Sequence, residues 1–157
     1  MEASTRTRIK LGDVFEIRLP DRGYAYCQYV EHNDTLGYLV RVFEKIFQEP
    51  LSSVSALDTT RLLFPPVFVG LRATVRSKRW KLVGNLPIGM FSLPTFRQTI
   101  GTKPGTYSDW TTWDGVKTIR YGKLPKPLRA LELECVWGDE ALEGRIINGT
   151  YRGDFMF

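Results

Sequence analysis

Short segments in which apolar and polar residues alternate, separated by turn residues, constrain the fold of this chain more than any other feature. The first is 14–18, and the Pro-Asp-Arg-Gly that follows at 20–23 predicts a turn. Residues 24–30 are the predicted return strand, and residues 37–43 are a third strand after Asn33-Asp34. Three strands in meander order with short connections predict the front half of a small, strongly bent, barrel-like sheet.

Further alternating segments predict more antiparallel pairing. Residues 67–75 and 80–86 are predicted to form a hairpin with a basic turn at 77–79. Residues 110–113 and 116–121 flank an Asp-Gly dipeptide, which fits a type I′ hairpin turn. A last alternating strand is predicted at 131–136.

Helix signals occur in two places. Residues 50–63 support a short helix capped by Ser52 or Ser53, and Pro65-Pro66 stops it. Residues 140–147 predict a second helix, which Asp139 can cap and Gly149 can end. The expected fold class is therefore α+β. We expect a bent antiparallel sheet that is small and barrel-like, together with one or two short helices. We expect one domain over 1–157, in which 1–8 form a flexible N-terminus.

The size and composition fit one soluble domain. A chain of 157 residues can bury enough surface to fold without metals or disulfides. The start of the chain has no apolar core of a signal peptide, and no apolar run is long enough to span a bilayer. Cys27 and Cys135 are widely separated and lie among apolar residues, which favours buried thiols. The cytoplasm is the expected location, without contact with a membrane.

The residues offer little for catalysis. His32 is the single histidine, beside Asn33-Asp34, where an exposed turn position is expected. Without a second histidine or a Cys-x-x-Cys pattern, no zinc site is expected, and the absence of a glycine-rich phosphate loop leaves no expected cofactor. Paired carboxylates remain an alternative for an enzyme, and the candidate pairs are Asp13 with Glu16, Asp109 with Asp114, and Glu132 with Glu134. Solvated carboxylates are the simpler interpretation, and we expect no enzyme.

A basic cluster is the main candidate for binding. Arg72, Arg76, Lys78, Arg79 and Lys81 follow one another without an acid between them. Three interpretations are open, namely a solvated hairpin with Trp80 in the core, a nucleic-acid site where Trp80 stacks on a base, and a site for an acidic protein surface. Trp110 and Trp113 are candidate apolar anchors, although their spacing places them on opposite faces of one strand. The predicted partner-binding residues are Arg72, Arg76, Lys78, Arg79, Trp110 and Trp113.

Three motifs resemble one known family. IKLGDVFEI at 9–17 is followed by PDRGYAY at 20–26, WKLVGNLP at 80–87 by LPTF at 93–96, and WGDEALEGRI stands at 137–146. Taken in this order, they resemble immunity protein family 26 of bacterial polymorphic toxin systems. The resemblance implies a cytoplasmic antitoxin that binds a cognate toxin domain, often a nuclease, and it supplies no catalytic residues.

The charge distribution leaves the binding face open. The net charge is +5, but the segment from Glu132 onward is mainly acidic. Nuclease toxins are often basic, so either the toxin of this chain is acidic or the acidic C-terminal face binds it. The expected function is stoichiometric docking on the toxin, and the alternative is a small barrel that binds nucleic acid.

Overall fold

A computed structural model describes residues 8–100, 107 and 109–157, which form ten strands and two α-helices in an α+β arrangement. The strands are β1 (Asp13–Leu19), β2 (Gly23–Asn33), β3 (Gly37–Val42), β4 (Val67–Val69), β5 (Trp80–Asn85), β6 (Phe96–Gln98), β7 (Trp110–Trp113), β8 (Thr118–Gly122), β9 (Glu132–Leu133) and β10 (Val136–Trp137). The helices are α1 (Leu71–Arg76) and α2 (Asp139–Asn148). The predicted class is confirmed, whereas residues 1–7 of the predicted flexible N-terminus lie outside the described residues.

The first sheet has the strand order β10-β4-β3-β2-β1-β5. The predicted meander of β1, β2 and β3 is confirmed, with Phe15 opposite Cys27 and Cys27 opposite Val42. All its pairs are antiparallel except β10 with β4, which is parallel. Register is strongly specified in this region because its strands are buried, and residues 25–30 of β2 are buried on both faces of the sheet.

The second sheet has the order β8-β7-β6-β9 and contains the second predicted hairpin. In its turn, Asp114 Oδ1 accepts hydrogen bonds from the backbone N–H groups of Val116 and Lys117, both at 2.9 Å. The segment predicted as one strand at 131–136 is split, because the chain leaves the second sheet at β9 and enters the first at β10. Neither sheet closes into a barrel within the described residues, since β10 and β5 stand at opposite edges of the first.

The predicted hairpin of 67–75 with 80–86 is wrong. The first strand ends at Val69, and Leu71–Arg76 form α1, in which Leu71 and Thr74 are buried at helical spacing and the Thr74 hydroxyl donates to the Leu71 carbonyl at 2.8 Å. The second segment does form β5, but it pairs with β1. The basic residues therefore lie on a helix and the turn after it, and not at the tip of a hairpin.

The predicted helix at 50–63 is also wrong, apart from a single 3-10 turn at Val54–Ala56 whose N-cap is Ser53. Leu51, Val54 and Leu57 pack instead as an irregular cover on the cluster around Tyr26 and Phe43. Serine, aspartate and threonine recur in this segment, and they compete with helical hydrogen bonds through their own side chains.

The second predicted helix is confirmed as α2. Its N-cap is Gly138 and not Asp139, and Gly149 ends it in the left-handed conformation at φ 80°, as predicted. Leu142 and Ile146 pack on the first sheet with Phe15, Ile17 and Trp80. This contact holds α2 on the first sheet, where its carboxylates reach Arg79 in the turn after α1.

Candidate functional site

Three of the predicted basic residues form an exposed surface on α1 and the turn after it, which we call the α1 basic surface: Arg72, Arg76 and Lys78. Arg72 and Arg76 lie one helical turn apart, and Lys78 occupies the turn with φ 61°. No ion pair joins any of the three to another described residue. Their charges are therefore available to an anionic partner.

Arg79 has a different position, because the carboxylates of α2 surround it. Its Nη2 lies 2.6 Å from Glu143 Oε2, its Nη1 lies 3.3 Å from Glu140 Oε1, and its Nε lies 3.8 Å from Asp139 Oδ2. The hydrogen bonds to Glu143 raise the pKa of the Arg79 guanidinium. Although this side chain is partly exposed, its charge is balanced within the fold.

Trp80 is a core residue, as the first of the three interpretations expects. It is 1% exposed, and its Nε1–H donates to Glu143 Oε1 at 3.0 Å. The same carboxylate thus binds Arg79 and Trp80. An indole in this position cannot stack on a base, so the nucleic-acid interpretation lacks its aromatic platform.

The two predicted tryptophan anchors lie on the second sheet, on opposite faces of β7. Trp110 is 1% exposed and stacks on Phe157, with ring centroids 5.1 Å apart. Trp113 is half-buried against Phe68 and Phe96. The tryptophans and the basic residues therefore lie on different elements of the structure. Of the two tryptophans, Trp113 is the one with side-chain surface that a partner could contact.

The carboxylates of the candidate pairs, apart from that of Glu134, have structural partners. Both oxygens of Glu132 accept from Arg145, at 2.9 and 2.5 Å, and Glu132 is 4% exposed. Glu134 lies in the break between β9 and β10, where burial raises the pKa of its carboxyl. In the first of the other pairs, the Glu16 carboxylate accepts a hydrogen bond from Tyr26, and that of Asp13 accepts one from Asn85. In the second, Asp109 accepts a hydrogen bond from Arg120, and Asp114 accepts one from the backbone of its own turn.

The surroundings of Arg145 are the main feature that the sequence did not reveal. Its guanidinium carbon lies 4.0 Å from the ring centroid of Phe64, 4.1 Å from that of Tyr151 and 5.4 Å from that of Trp137. The hydroxyl of Tyr151 accepts from the Leu133 N–H at 3.2 Å, and burial raises the pKa of that hydroxyl. Glu132 and Arg145 are thirteen positions apart on a strand and a helix, so no periodic signal connects them.

The remaining polar candidates have simple positions. His32 is exposed at the end of β2, with Nδ1 3.7 Å from Asp34 Oδ1. Cys27 and Cys135 are free thiols, the first buried and the second half-buried. Among the described residues, no group of three His, Cys, Asp or Glu side chains is placed to hold a metal ion. None of the helices in that part of the chain is long and apolar enough to cross a membrane.

Comparison with known proteins gives one match. The family model described as immunity protein 26 matches residues 10–111, from before β1 into β7, and this range includes α1 but not α2. Searches among curated proteins and among solved structures gave no match. The match covers well over half of the 157 residues, and the structure within it contains the predicted meander. The chain belongs to the immunity protein 26 family.

Proposed function

We propose that this immunity protein neutralises a cognate toxin by stoichiometric docking in the cytoplasm, and that the α1 basic surface contacts the toxin. Membership of the family implies an antitoxin, and the family is generally not enzymatic. The observation that carries the proposal is the exposure of Arg72, Arg76 and Lys78, without an ion pair to any described residue.

Charge complementarity gives the α1 basic surface its part in recognition. Arg72, Arg76 and Lys78 present a positive area next to the net acidic area that three α2 carboxylates form around Arg79. Such an area speeds the encounter with a negative surface and disfavours partners that are positive. We therefore propose that the toxin presents an acidic face to α1.

The rest of the interface must extend beyond α1. A stable complex buries roughly 1,600 Å² in total, which six helical residues do not provide. Trp113 stays a predicted anchor, and Arg79 can contribute its exposed edge. Trp110 also stays a predicted anchor, but it would have to leave its contact with Phe157 to reach a partner.

The test is a double charge reversal. Arg72→Glu with Arg76→Glu is expected to weaken toxin binding on the order of tenfold or more, mainly through slower association. The matched control is Lys123→Glu with Lys126→Glu, which changes the net charge equally at two exposed lysines far along the chain. Surface plasmon resonance with the purified toxin measures both rate constants, and circular dichroism checks the fold.

Two results would contradict the proposal. Equal affinities for the two double variants would show that α1 is not part of the interface. Alternatively, a nuclease-treated preparation without a toxin partner, whose affinity for nucleic acid falls steeply with salt, would favour the nucleic-acid function.

A further inference from the structure

The first sheet has an open edge at β5. This strand is last in the order β10-β4-β3-β2-β1-β5, and it pairs only with β1. Successive residues of a paired strand point their backbone N–H and C=O groups to opposite sides, so about half of these groups in Trp80–Asn85 point away from β1. No backbone hydrogen bond joins β5 to a described residue outside β1. Within the described part of the chain, the outward groups are therefore free to pair with another strand.

The first half of β5 is accessible from both faces of the sheet. Lys81 and Leu82 are consecutive, so their side chains point to opposite faces, and both are exposed. The second half is covered on one face, because a Cβ added at Gly84 would collide with the side chain of Val54. An incoming strand can thus reach the outward backbone groups around positions 81 and 82 without displacing the cover.

Among the edge strands, β5 is the one that directly follows the α1 basic surface. Lys78 lies two positions before Trp80, the first residue of β5. With six residues, β5 is also longer than the edge strands β8, β9 and β10, which have five, two and two. A partner that contacts the α1 basic surface can therefore continue along β5. Such an extension supplies contact area that α1 alone does not provide.

The charges on the face of Lys81 favour an acidic strand. Lys81 forms no ion pair with a described residue. Its partner in register on β1 is Glu16, whose carboxylate already accepts a hydrogen bond from the Tyr26 hydroxyl at 2.9 Å. Arg18 lies two positions from Glu16 on the same face and is exposed. On β1 and β5 this face thus carries two cations and one acid, and the covering segment 50–57 has no charged residue.

The acids of α2 lie on the opposite face of β5. Glu143 accepts a hydrogen bond from Trp80 Nε1–H at 3.0 Å, and the side chains of Trp80 and Lys81 point to opposite faces. These acids therefore do not balance Lys81. A second copy of the chain is disfavoured as the occupant of the edge, because pairing two β5 strands would bring their lysines together, and proteins use edge lysines to prevent such pairing.

We propose that the toxin adds an extended segment to the β5 edge, with an acidic residue beside Lys81 and an apolar residue beside Leu82. Directly opposite residues of paired strands share a face, so acidic and apolar residues alternate in this segment. Backbone hydrogen bonds hold the added strand, and Lys81 selects an acidic one. The inference rests on the proposed function, because it names a part of the interface beyond α1.

Hydrogen exchange followed by ¹⁵N NMR tests the strand addition directly. The amides of β5 that exchange fast in the free protein are expected to exchange about tenfold or more slowly in the complex with the purified toxin, because they gain hydrogen-bond acceptors. The amides of β8, the edge strand of the second sheet, are the internal control and should not change. A complex in which no β5 amide gains protection would overturn the proposal.

The matched pair of variants is Lys81→Gln and Lys117→Gln, which each remove one exposed lysine, on β5 and just before β8. Neither variant places a second acid opposite Glu16. Lys81→Gln is expected to bind the toxin about 2- to 5-fold more weakly than Lys117→Gln, as the loss of one exposed ion pair predicts, and Lys81→Arg should retain native affinity. Equal affinities of the two glutamine variants would overturn the proposal. Thermal unfolding confirms that all three variants fold.

The outcomes separate this inference from the proposed function. If the toxin binds and the reversal at Arg72 and Arg76 weakens binding while the β5 amides stay unprotected, the proposed function stands and strand addition is wrong. If the toxin does not bind the native protein, both fail. If the β5 amides gain protection in the protein alone as its concentration rises, and sedimentation shows dimers, a second copy is the occupant and the proposal is overturned.

Discussion

The buried ion pair of Glu132 and Arg145 allows a quantitative prediction about stability. In the native protein the Arg145 guanidinium donates to both carboxylate oxygens of Glu132, at 2.9 and 2.5 Å. Glu132→Gln removes the negative charge, and its amide offers the guanidinium one acceptor oxygen in place of two. Arg145 is 7% exposed, so water cannot replace the lost partner. Breaking a buried pair in this way costs about 3–5 kcal/mol of the free energy of unfolding.

The surroundings of Arg145 place the expected loss near the lower end of that range. The guanidinium carbon lies 4.0 Å from the ring centroid of Phe64 and 4.1 Å from that of Tyr151, and each such contact retains about 0.5–2 kcal/mol of attraction for the unpaired cation. We expect a loss of about 3 kcal/mol, a large part of the roughly 5–15 kcal/mol typical of a domain. The corresponding fall in Tm is about 6–12 °C for a chain of this size.

Urea denaturation at neutral pH measures this loss, with fluorescence and circular dichroism as independent probes. The matched control is Asp109→Asn, which breaks an ion pair at 3.2 Å whose two side chains are 46% and 72% exposed. This control should change the free energy of unfolding by less than about 1 kcal/mol. Replacing both buried partners, as Glu132→Leu with Arg145→Met, should be less harmful than Glu132→Gln, since no charge stays unpaired. Equal small losses in Glu132→Gln and Asp109→Asn would refute the reasoning.

Two further predictions concern the backbone and the pH dependence. Gly23→Ala should lower the free energy of unfolding more than Gly37→Ala does. Both glycines have positive φ, at 105° and 88°, and this conformation costs about 1–2 kcal/mol for alanine. At Gly23 an added Cβ would in addition collide with the carbonyl oxygen of Phe47, whereas at Gly37 it would meet no atom within 4 Å. Urea denaturation of both variants checks this, and equal losses would contradict it. Burial raises the pKa of the Glu134 carboxyl in the folded protein above its ordinary value of 4.5. The protonated carboxyl therefore contributes stability that is fully present below pH 4.5, and this contribution is lost as the pH rises through the raised pKa. Glu134→Gln should remove this decline in the free energy of unfolding, which is measured from acidic to neutral pH. If the variant and the native protein showed the same pH dependence, the expectation would be contradicted.

The parts of the fold that the sequence predicts well are those that local patterns specify. β1, β2 and β3 combine alternation with turn residues, and Gly149 ends α2 because glycine tolerates the left-handed conformation there. Alternation also predicts β5, but not its neighbour. The choice of β1 depends on contacts between residues far apart in the chain, such as Ile17 with Trp80.

The error at α1 has a local cause. Val67, Val69, Thr74 and Val75 are β-branched, which favours a strand on propensity alone. In the structure Leu71 and Thr74 are buried and Ala73 is exposed. This burial pattern has the spacing of a helix and not the alternation of a strand. The packing of α1 against the sheet thus overrides the preference of its residues.

Within the candidate site, local sequence predicts exposure but not pairing. Arg72, Arg76 and Lys78 are exposed, as a cluster of adjacent basic residues suggests. The ion pair of Arg79 with Glu143 joins residues 64 positions apart, and only the tertiary packing of α2 on the first sheet brings them together.

The structure also bears on the two binding faces that the charge distribution left open. An acidic binding face requires free carboxylates in the C-terminal segment, but Glu132 is bound by Arg145, and Glu143 by Arg79 and Trp80. Glu140, the most exposed of the α2 acids, also lies within 3.3 Å of Arg79. The basic side is different, since only Arg79 of the α1 region pairs with these acids, and Arg72, Arg76 and Lys78 form no ion pair with a described residue. Arg79 balances the charge of one of the three α2 carboxylates, so the folded protein presents a basic area on α1 next to a net acidic area on α2. We expect the toxin to contact the basic area, because its three cations form no ion pair with a described residue.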